Sequence, residues 1–169
     1  KPTLLSLSMR VLIVRLWALG DTVVRTPLLS RIRSEWPDAH VTWLSGTSAL
    51  PIVSLLPGVD EILTVDDRRI LRGNIFERAT AILGIWKSLL SRRFDRVLLL
   101  HADPRYRVLT LPLPLRGGRV DGLDHTPGPH RNPLPGRFRG DETVRLFDRR
   151  PPDDPPSRQY DLSDISSRF

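Results

Sequence analysis

The stretch "MRVLIVRLWALGDTVVRTP", from Met9 to Pro27, indicates the fold class of this chain. It opens with a nearly continuous aliphatic run at 10–16, which is typical of a parallel strand that is buried on both faces. The run breaks at Gly20 and Asp21, and a helix-like pattern follows it. A buried strand, a tight break and a helix are together the beginning of a βαβ unit.

The helix after this strand is predicted from apolar residues three and four positions apart. The residues that share this helical face are Val24, Leu28, Leu29, Ile32 and Trp36. Pro27 fits either the first turn of a helix capped by Thr26 or a kink in a helix that begins at Asp21. Pro37 and Asp38 end the helix under either alternative.

The same alternation of strand and helix continues along the chain. Buried strands are predicted at 40–45, 61–66 and 94–101, with a short helix inside 47–59 and a long amphipathic helix inside 74–94. The apolar positions of the long helix are Ile75, Ala79, Ile82, Leu83, Trp86, Leu89 and Leu90. This order predicts an α/β fold with a Rossmann-like parallel sheet and helices on both of its faces.

The character of the sequence changes after residue 101, because eleven of the 16 prolines lie in the last 69 residues. We expect a Rossmann-like domain at 9–122, followed by a loop and tail at 123–169 that is rich in proline and arginine and partly disordered. Residues 1–8 are expected to be an extension. The chain opens with lysine, and we expect it to be a fragment.

Composition limits the class of function. The chain has no cysteine, which excludes disulfides and thiolate metal sites, and no apolar run of about 18 residues that could span a membrane. The net charge is +7, and 24 of the 26 cations are arginine, which favours nucleic acid, phospholipid surfaces or phosphorylated glycans as partners. No run of arginines is longer than two, which favours the alternative of an arginine-rich solvated surface and counts against nucleic acid.

A set of motifs in a fixed order resembles one enzyme family. The motifs are "LxALGD", a helix with "TPLL", then "WPDAHVTWL", "LLPGVDEILTVD" and "FDRVLLL". Over residues 9 to about 122 their order and spacing are similar to the amino-terminal half of glycosyltransferase family 9, the ADP-heptose:lipopolysaccharide heptosyltransferases.

The resemblance implies a GT-B architecture with two Rossmann-like domains and a cleft between them. The domain present here would be the amino-terminal one, which receives a lipid A–Kdo precursor or a growing core oligosaccharide. The carboxy-terminal domain, which binds the nucleotide sugar, is expected to be absent, so the chain alone is expected to be inactive. No cofactor is implied beyond the donor substrate, ADP-heptose. The expected location is the cytoplasm, at the inner face of the inner membrane.

Asp21 is the first candidate site residue. The resemblance makes it the general base that deprotonates the attacking sugar hydroxyl, a role that needs a carboxylate within hydrogen-bond reach. Gly20 would allow the tight turn and the close approach of the acceptor. The alternative is that Asp21 only caps the following helix.

Arg68, Arg69 and Arg72 form the second candidate site, because they match a basic cluster of the family and suit acidic groups of the acceptor. The alternative is a solvated loop whose arginines pair with nearby aspartates. His101, with Asp103 beside it, follows the fourth strand and is the third candidate for acceptor binding; the alternative is a structural or solvated histidine.

No metal site is expected, because the four histidines are widely separated and lack ligand spacing. Neither a P-loop pattern nor GxGxxG occurs, which argues against a nucleotide site in this half.

Three hypotheses therefore remain open. The first is a glycosyltransferase module that acts on an envelope glycolipid. The second is a truncated, non-catalytic module that binds an anionic glycan or a protein partner. The third is a basic nucleic-acid binder whose affinity falls steeply with salt.

Overall fold

A computed structural model describes residues 8–16, 26–101, 106–122 and 139–150 of the chain. It contains five strands, which are β1 (Arg10–Val14), β2 (His40–Gly46), β3 (Glu61–Val65), β4 (Arg96–Leu99) and β5 (Arg119–Gly122). All neighbouring strands pair in parallel, in the order β3-β2-β1-β4-β5. The chain thus begins in the middle of the sheet, builds one side and then crosses over to build the other. The predicted Rossmann-like parallel sheet is confirmed.

The described helices cover both faces of this sheet. They are α1 (Thr26–Glu35), α2 (Leu50–Val53), α3 (Asp67–Arg72), α4 (Ile75–Leu90), α5 (Arg107–Thr110), α6 (Arg139–Asp148) and a 3-10 helix (Leu113–Arg116). Side chains of α1, α2 and α6 form one apolar cluster with the sheet, and side chains of α4, α5 and the 3-10 helix form the other. None of the helices that the structure describes is long and apolar enough to cross a bilayer.

The central strand β1 explains why the opening run is so apolar. Val11 and Ile13 belong to one cluster and Leu12 and Val14 to the other, and all four are fully buried. Side chains alternate between the two faces of a strand, so a strand covered on both faces needs apolar residues at every position.

Helix α6 lies inside 123–169, where the sequence predicted only a loop and tail. The helix packs on α1, and Phe147 joins the core with its ring edge-on to Trp36, 5.8 Å between centroids. The high proline content of 123–169 as a whole predicted a loop, but the prolines lie on both sides of this helix and residues 136–150 contain none. The rest of the predicted tail, 123–138 and 151–169, and most of the predicted extension lie outside the described residues.

Helix α4 occupies most of the stretch predicted for the long helix, but its buried face differs from the predicted one. Ile85 and Leu89 are its buried residues, whereas Ile75, Ala79 and Leu83 of the predicted apolar face are exposed. The body of the domain therefore covers only part of the apolar surface of this helix.

Candidate functional site

The carboxyl edge of the sheet is where a parallel α/β fold binds its ligands, close to the point at which the strand order reverses. That point lies between β1 and β4 in this chain. The segment after β1 leads there through Arg15 and Leu16. Gly20, Asp21 and Asp103, which the sequence placed at this edge, lie outside the described residues.

His101 lies at this reversal point, just beyond β4, and is only 3% exposed. Its Nε2 accepts the backbone N–H of Leu16 at 3.0 Å, and its ring lies 4.2 Å from that of Tyr106, centroid to centroid. The imidazole thus joins the chain leaving β1 to the chain leaving β4. This is the structural role that the sequence left open as an alternative, and its role in acceptor binding stays a prediction.

Arg15 holds the same segment from a second side, and sequence analysis missed it. Its Nη1 donates to the carbonyl of Leu100 at 2.6 Å, and its own carbonyl accepts the indole N–H of Trp43 at 3.2 Å. An arginine inside an aliphatic run was the available signal, because a buried guanidinium needs hydrogen-bond partners.

The three candidate arginines lie on helix α3, directly after the edge strand β3. Asp66 caps this helix by accepting the backbone N–H groups of Arg68 at 3.1 Å and Arg69 at 3.4 Å. Residues 67–72 are therefore helical, and the alternative of a solvated loop is wrong about their structure. The ion pair that this alternative expected is present for Arg69, whose Nε lies 3.4 Å from Oδ2 of Asp66. All three arginine side chains are exposed. The guanidinium groups of Arg68 and Arg72 have no ion-pair partner among the described residues.

Asp67 fixes helix α3 to the neighbouring strand, and sequence analysis missed this role. It is 6% exposed and accepts hydrogen bonds from Thr47 Oγ1 at 3.0 Å and Ser48 Oγ at 2.6 Å, both in the turn after β2. A Cβ on Gly46 would lie 2.5 Å from the carbonyl oxygen of Leu16 and 2.9 Å from Cγ of Asp67. Glycine is therefore required where the ends of β1, β2 and α3 converge.

The structure brings the arginines together but not into contact with His101. Strands β2 and β1 lie between β3 and β4, and neighbouring strands are about 4.8 Å apart. A groove of about 240 Å³ runs between β3 and α4, with Asp66 and Arg69 among its lining residues. The edge thus offers a row of exposed cations beside β3 and a buried histidine at the reversal point.

A larger cavity, about 620 Å³, lies among residues that flank the opposite, amino-terminal ends of β1, β4 and β5. Its arginines are engaged internally, since Asp121 pairs with Arg96 at 3.1 Å, Arg119 at 3.3 Å and Arg149 at 2.6 Å. Size alone therefore does not mark the ligand site. Within the described ranges no three His, Asp or Glu side chains are grouped to hold a metal ion.

Two curated relatives match the sequence. The lipopolysaccharide core heptosyltransferase OpsX of Haemophilus influenzae is 25% identical over 99 residues, which are 59% of this chain and 26% of OpsX. Lipopolysaccharide heptosyltransferase 3 of Escherichia coli is 24% identical over 124 residues, covering 69% of this chain and 35% of that protein. The chain thus spans about a third or less of the curated relatives it matches. No protein-family profile matches it.

Solved structures share the fold. E. coli heptosyltransferase WaaC with ADP superposes with a TM-score of 0.67 at 20% identity, over 89% of this chain and 50% of WaaC. A glycosyl transferase family 9 protein from Veillonella parvula gives a TM-score of 0.57 at 19% identity, over 83% of this chain and 41% of that protein. These two similarities show that the α/β fold is shared. The two curated relatives are heptosyltransferases, the class of enzyme that the ordered motifs of residues 9–122 resemble. The chain is thus similar to lipopolysaccharide heptosyltransferases over part of their length, in agreement with its sequence resemblance to glycosyltransferase family 9.

Proposed function

We propose that this chain is the acceptor-binding module of an inverting glycosyltransferase that transfers heptose from ADP-heptose to a lipopolysaccharide core or a related envelope glycan. The observation that carries the proposal is the exposed arginine row of α3, which lies at the ligand-bearing edge of a heptosyltransferase-like sheet. The module would work at the cytoplasmic face of the inner membrane.

The arginine row suits an acidic acceptor. A guanidinium group binds phosphate or carboxylate through two parallel hydrogen bonds, and a phosphorylated core glycolipid carries both groups. Arg68 and Arg72 lack ion-pair partners in the described part of the chain, so such a ligand would not have to displace an internal partner. Asp66 and Asp67 hold the helix that presents them.

Asp21 would be the general base of this reaction. It would take the proton of the acceptor hydroxyl while the hydroxyl oxygen attacks the anomeric carbon and the bond to the ADP oxygen breaks, inverting the configuration. The anchored end of β1 supports this role: Leu16, five residues before Asp21 in the sequence, donates its N–H to His101 and accepts the N–H of Gly46. Gly20 would let the acceptor approach closely.

The test is Asp21→Asn in a protein that joins this chain to a donor-binding domain. Loss of general-base assistance should lower the transfer rate by about 10²–10⁴-fold with the fold retained. Asparagine caps helices about as well as aspartate, so a capping role would leave transfer within a few-fold of the wild type. Asp38→Asn, at an exposed turn, is the matched control.

The exposed arginines of α3 are also compatible with a second function. The module would bind an anionic glycan through the same arginines without catalysing transfer. Calorimetry with a phosphorylated core acceptor, run beside the transfer assay, separates the two. Binding with no transfer in the joined protein would support the second function and contradict the first.

A further inference from the structure

Helices α3 and α4 expose an unusual amount of apolar surface. The exposed fractions are 48% for Leu71, 77% for Ile75, 79% for Phe76 and 59% for Leu83. Ala79 is exposed as well. At 100° per residue, the α4 members of this set lie within an arc of about 100° on the first two and a half turns. We name Ile75, Phe76, Ala79 and Leu83 the apolar stripe.

Hydrogen bonds fix the helical turn at which the apolar stripe begins. Asn74 Oδ1 accepts the N–H of Glu77 at 2.9 Å, and Glu77 Oε2 accepts the N–H of Asn74 at 2.9 Å, which closes a capping box on the turn that carries Ile75 and Phe76. A Cβ on Gly73 would meet the carbonyl oxygen of Arg69 at 2.3 Å, so the link between the two helices is tight. A contiguous exposed apolar surface of this kind marks an interaction site.

Exposed arginines lie on the two helices that carry the exposed apolar residues, while the nearby acids are engaged within the protein. Arg78 donates to the carbonyl of Leu71 at 3.1 Å and so ties the start of α4 to the last turn of α3, which carries Arg72. Asp66 and Glu77 cap the two helices, and buried Asp67 accepts two hydroxyl groups. The exposed guanidinium groups of Arg68 and Arg72 therefore lie on the same pair of helices as the apolar stripe.

We propose that α3 and α4 dock this protein on an anionic lipid bilayer. The apolar stripe enters the boundary between headgroups and acyl chains, and Arg68 and Arg72 contact lipid phosphates. An exposed apolar face together with exposed arginines on the same helices is the pattern of helices that lie in the membrane interface. A second copy of the chain fits this surface less well, because a two-fold interface would place two like arginine rows against each other. The inference rests on the proposed function for its location at the inner membrane, but vesicle binding involves neither sugar donor nor acceptor, so a failure of docking is distinguishable from a failure of sugar transfer.

The first experiment measures binding of the 169-residue chain to vesicles of phosphatidylglycerol mixed with phosphatidylcholine, and to vesicles of phosphatidylcholine alone. The wild type should prefer the anionic vesicles. Ile75→Ser with Phe76→Ser should weaken that binding at least about tenfold, because two large apolar side chains no longer enter the lipid. Leu55→Ser is the matched control, since Leu55 is 78% exposed on a different part of the surface.

The electrostatic part has its own variants. Arg68→Gln with Arg72→Gln should weaken binding to anionic vesicles roughly fivefold per arginine. Arg93→Gln with Arg116→Gln removes the same charge from exposed positions that precede β4 and β5, at the other edge of the sheet, and should change binding much less. Equal losses for both pairs would show a general charge effect and overturn the assignment to α3.

A labelling experiment reports directly on the apolar stripe. The chain has no cysteine, so Phe76→Cys takes a single environment-sensitive dye. Its emission should shift to the blue with anionic vesicles, whereas a dye on Leu55→Cys should not shift. The proposal is overturned if the wild type does not bind anionic vesicles, if the serine variants bind as well as the wild type, or if a lipid-free dimer that depends on Phe76 accounts for the blue shift.

Discussion

His101 shows at the scale of one residue how a candidate ligand group is engaged by the fold. Its Nε2 is the acceptor for the backbone N–H of Leu16, in a buried position between the two central strands. We predict that His101→Ala lowers the free energy of unfolding by about 1–3 kcal/mol, because that amide loses its partner away from water. Urea denaturation measures this change.

The control for this prediction is His40→Ala, on a half-exposed histidine, which should cost less than about 0.5 kcal/mol. If His101 serves only the acceptor, His101→Ala would instead leave the urea midpoint unchanged and raise the KM for acceptor in the protein that carries a donor domain.

Glu61 and Arg92 give a pH dependence at the same scale. The hydrogen bond from Arg92, at 2.7 Å between Nη2 and Oε1, is the main cause that lowers the pKa of the Glu61 carboxyl, against the opposing effect of burial. A lowered pKa in the folded state means that the ion pair stabilises the fold above the ordinary glutamate pKa of about 4.3, and that this contribution is lost as pH falls through the lowered value.

We therefore predict that Arg92→Gln lowers the free energy of unfolding by about 0.2–1 kcal/mol near neutral pH, and that the difference from the wild type disappears in strong acid. Urea midpoints measured across the acid range test this. Arg93→Gln, at the exposed neighbour, should show no such convergence. A difference that persists after Glu61 is protonated would contradict the assignment to this ion pair.

Helix α6 packs against the domain through several buried residues, of which Phe147 belongs to the apolar core cluster. The Phe147 ring is buried, meets Trp36 edge-on and lies 4.1 Å from the Arg96 guanidinium carbon. We predict that Phe147→Ala costs about 3–5 kcal/mol, from lost burial and the cavity left behind. The Arg96 guanidinium also loses a ring contact of the cation–π type.

Thermal and urea denaturation measure that cost, and limited proteolysis should cut near α6 first. Leu115→Ala, where the side chain is 89% exposed, is the control that should leave stability nearly unchanged. A Phe147→Ala variant with the stability of the control would contradict the assignment of Phe147 to the core.

The proposed function divides the work of the whole molecule between this acceptor-binding module and a donor-binding domain. Catalysis of this type needs the anomeric carbon held against the acceptor hydroxyl, because orientation supplies much of the rate. We predict that the 169-residue chain alone neither binds ADP-heptose measurably nor transfers sugar, while it binds a phosphorylated core acceptor weakly through Arg68, Arg69 and Arg72.

Calorimetry with each ligand tests both statements, and added salt should weaken acceptor binding because exposed charges are screened. Micromolar binding of ADP-heptose by this chain would contradict the proposed division of labour. The measurement with acceptor would still test acceptor binding on its own.

Hydrophobic periodicity was enough to predict the central strands of the sheet. The aliphatic run of β1, the strands at 40–46 and 61–65 and the helix that follows residue 74 all appear where hydrophobic periodicity placed them. Periodicity succeeds here because it reflects the local geometry of strands and helices, and because parallel strands need crossover helices. It also placed Arg68, Arg69, Arg72 and His101 at one edge of the sheet, since all of them follow strands.

Contacts between distant segments determine which apolar and polar groups are buried, and the sequence pattern did not reveal these contacts. Periodicity placed Ile75 and Leu83 on the apolar face of the long helix, but no other element of the described structure packs over them and both are exposed. It gave no reason to bury Asp67 or His101, because their partners Thr47, Ser48 and Leu16 lie 19 to 85 residues away in the chain. Burial and hydrogen bonding depend on how elements pack together. The packing of two distant segments does not produce a periodic pattern in the sequence of either segment.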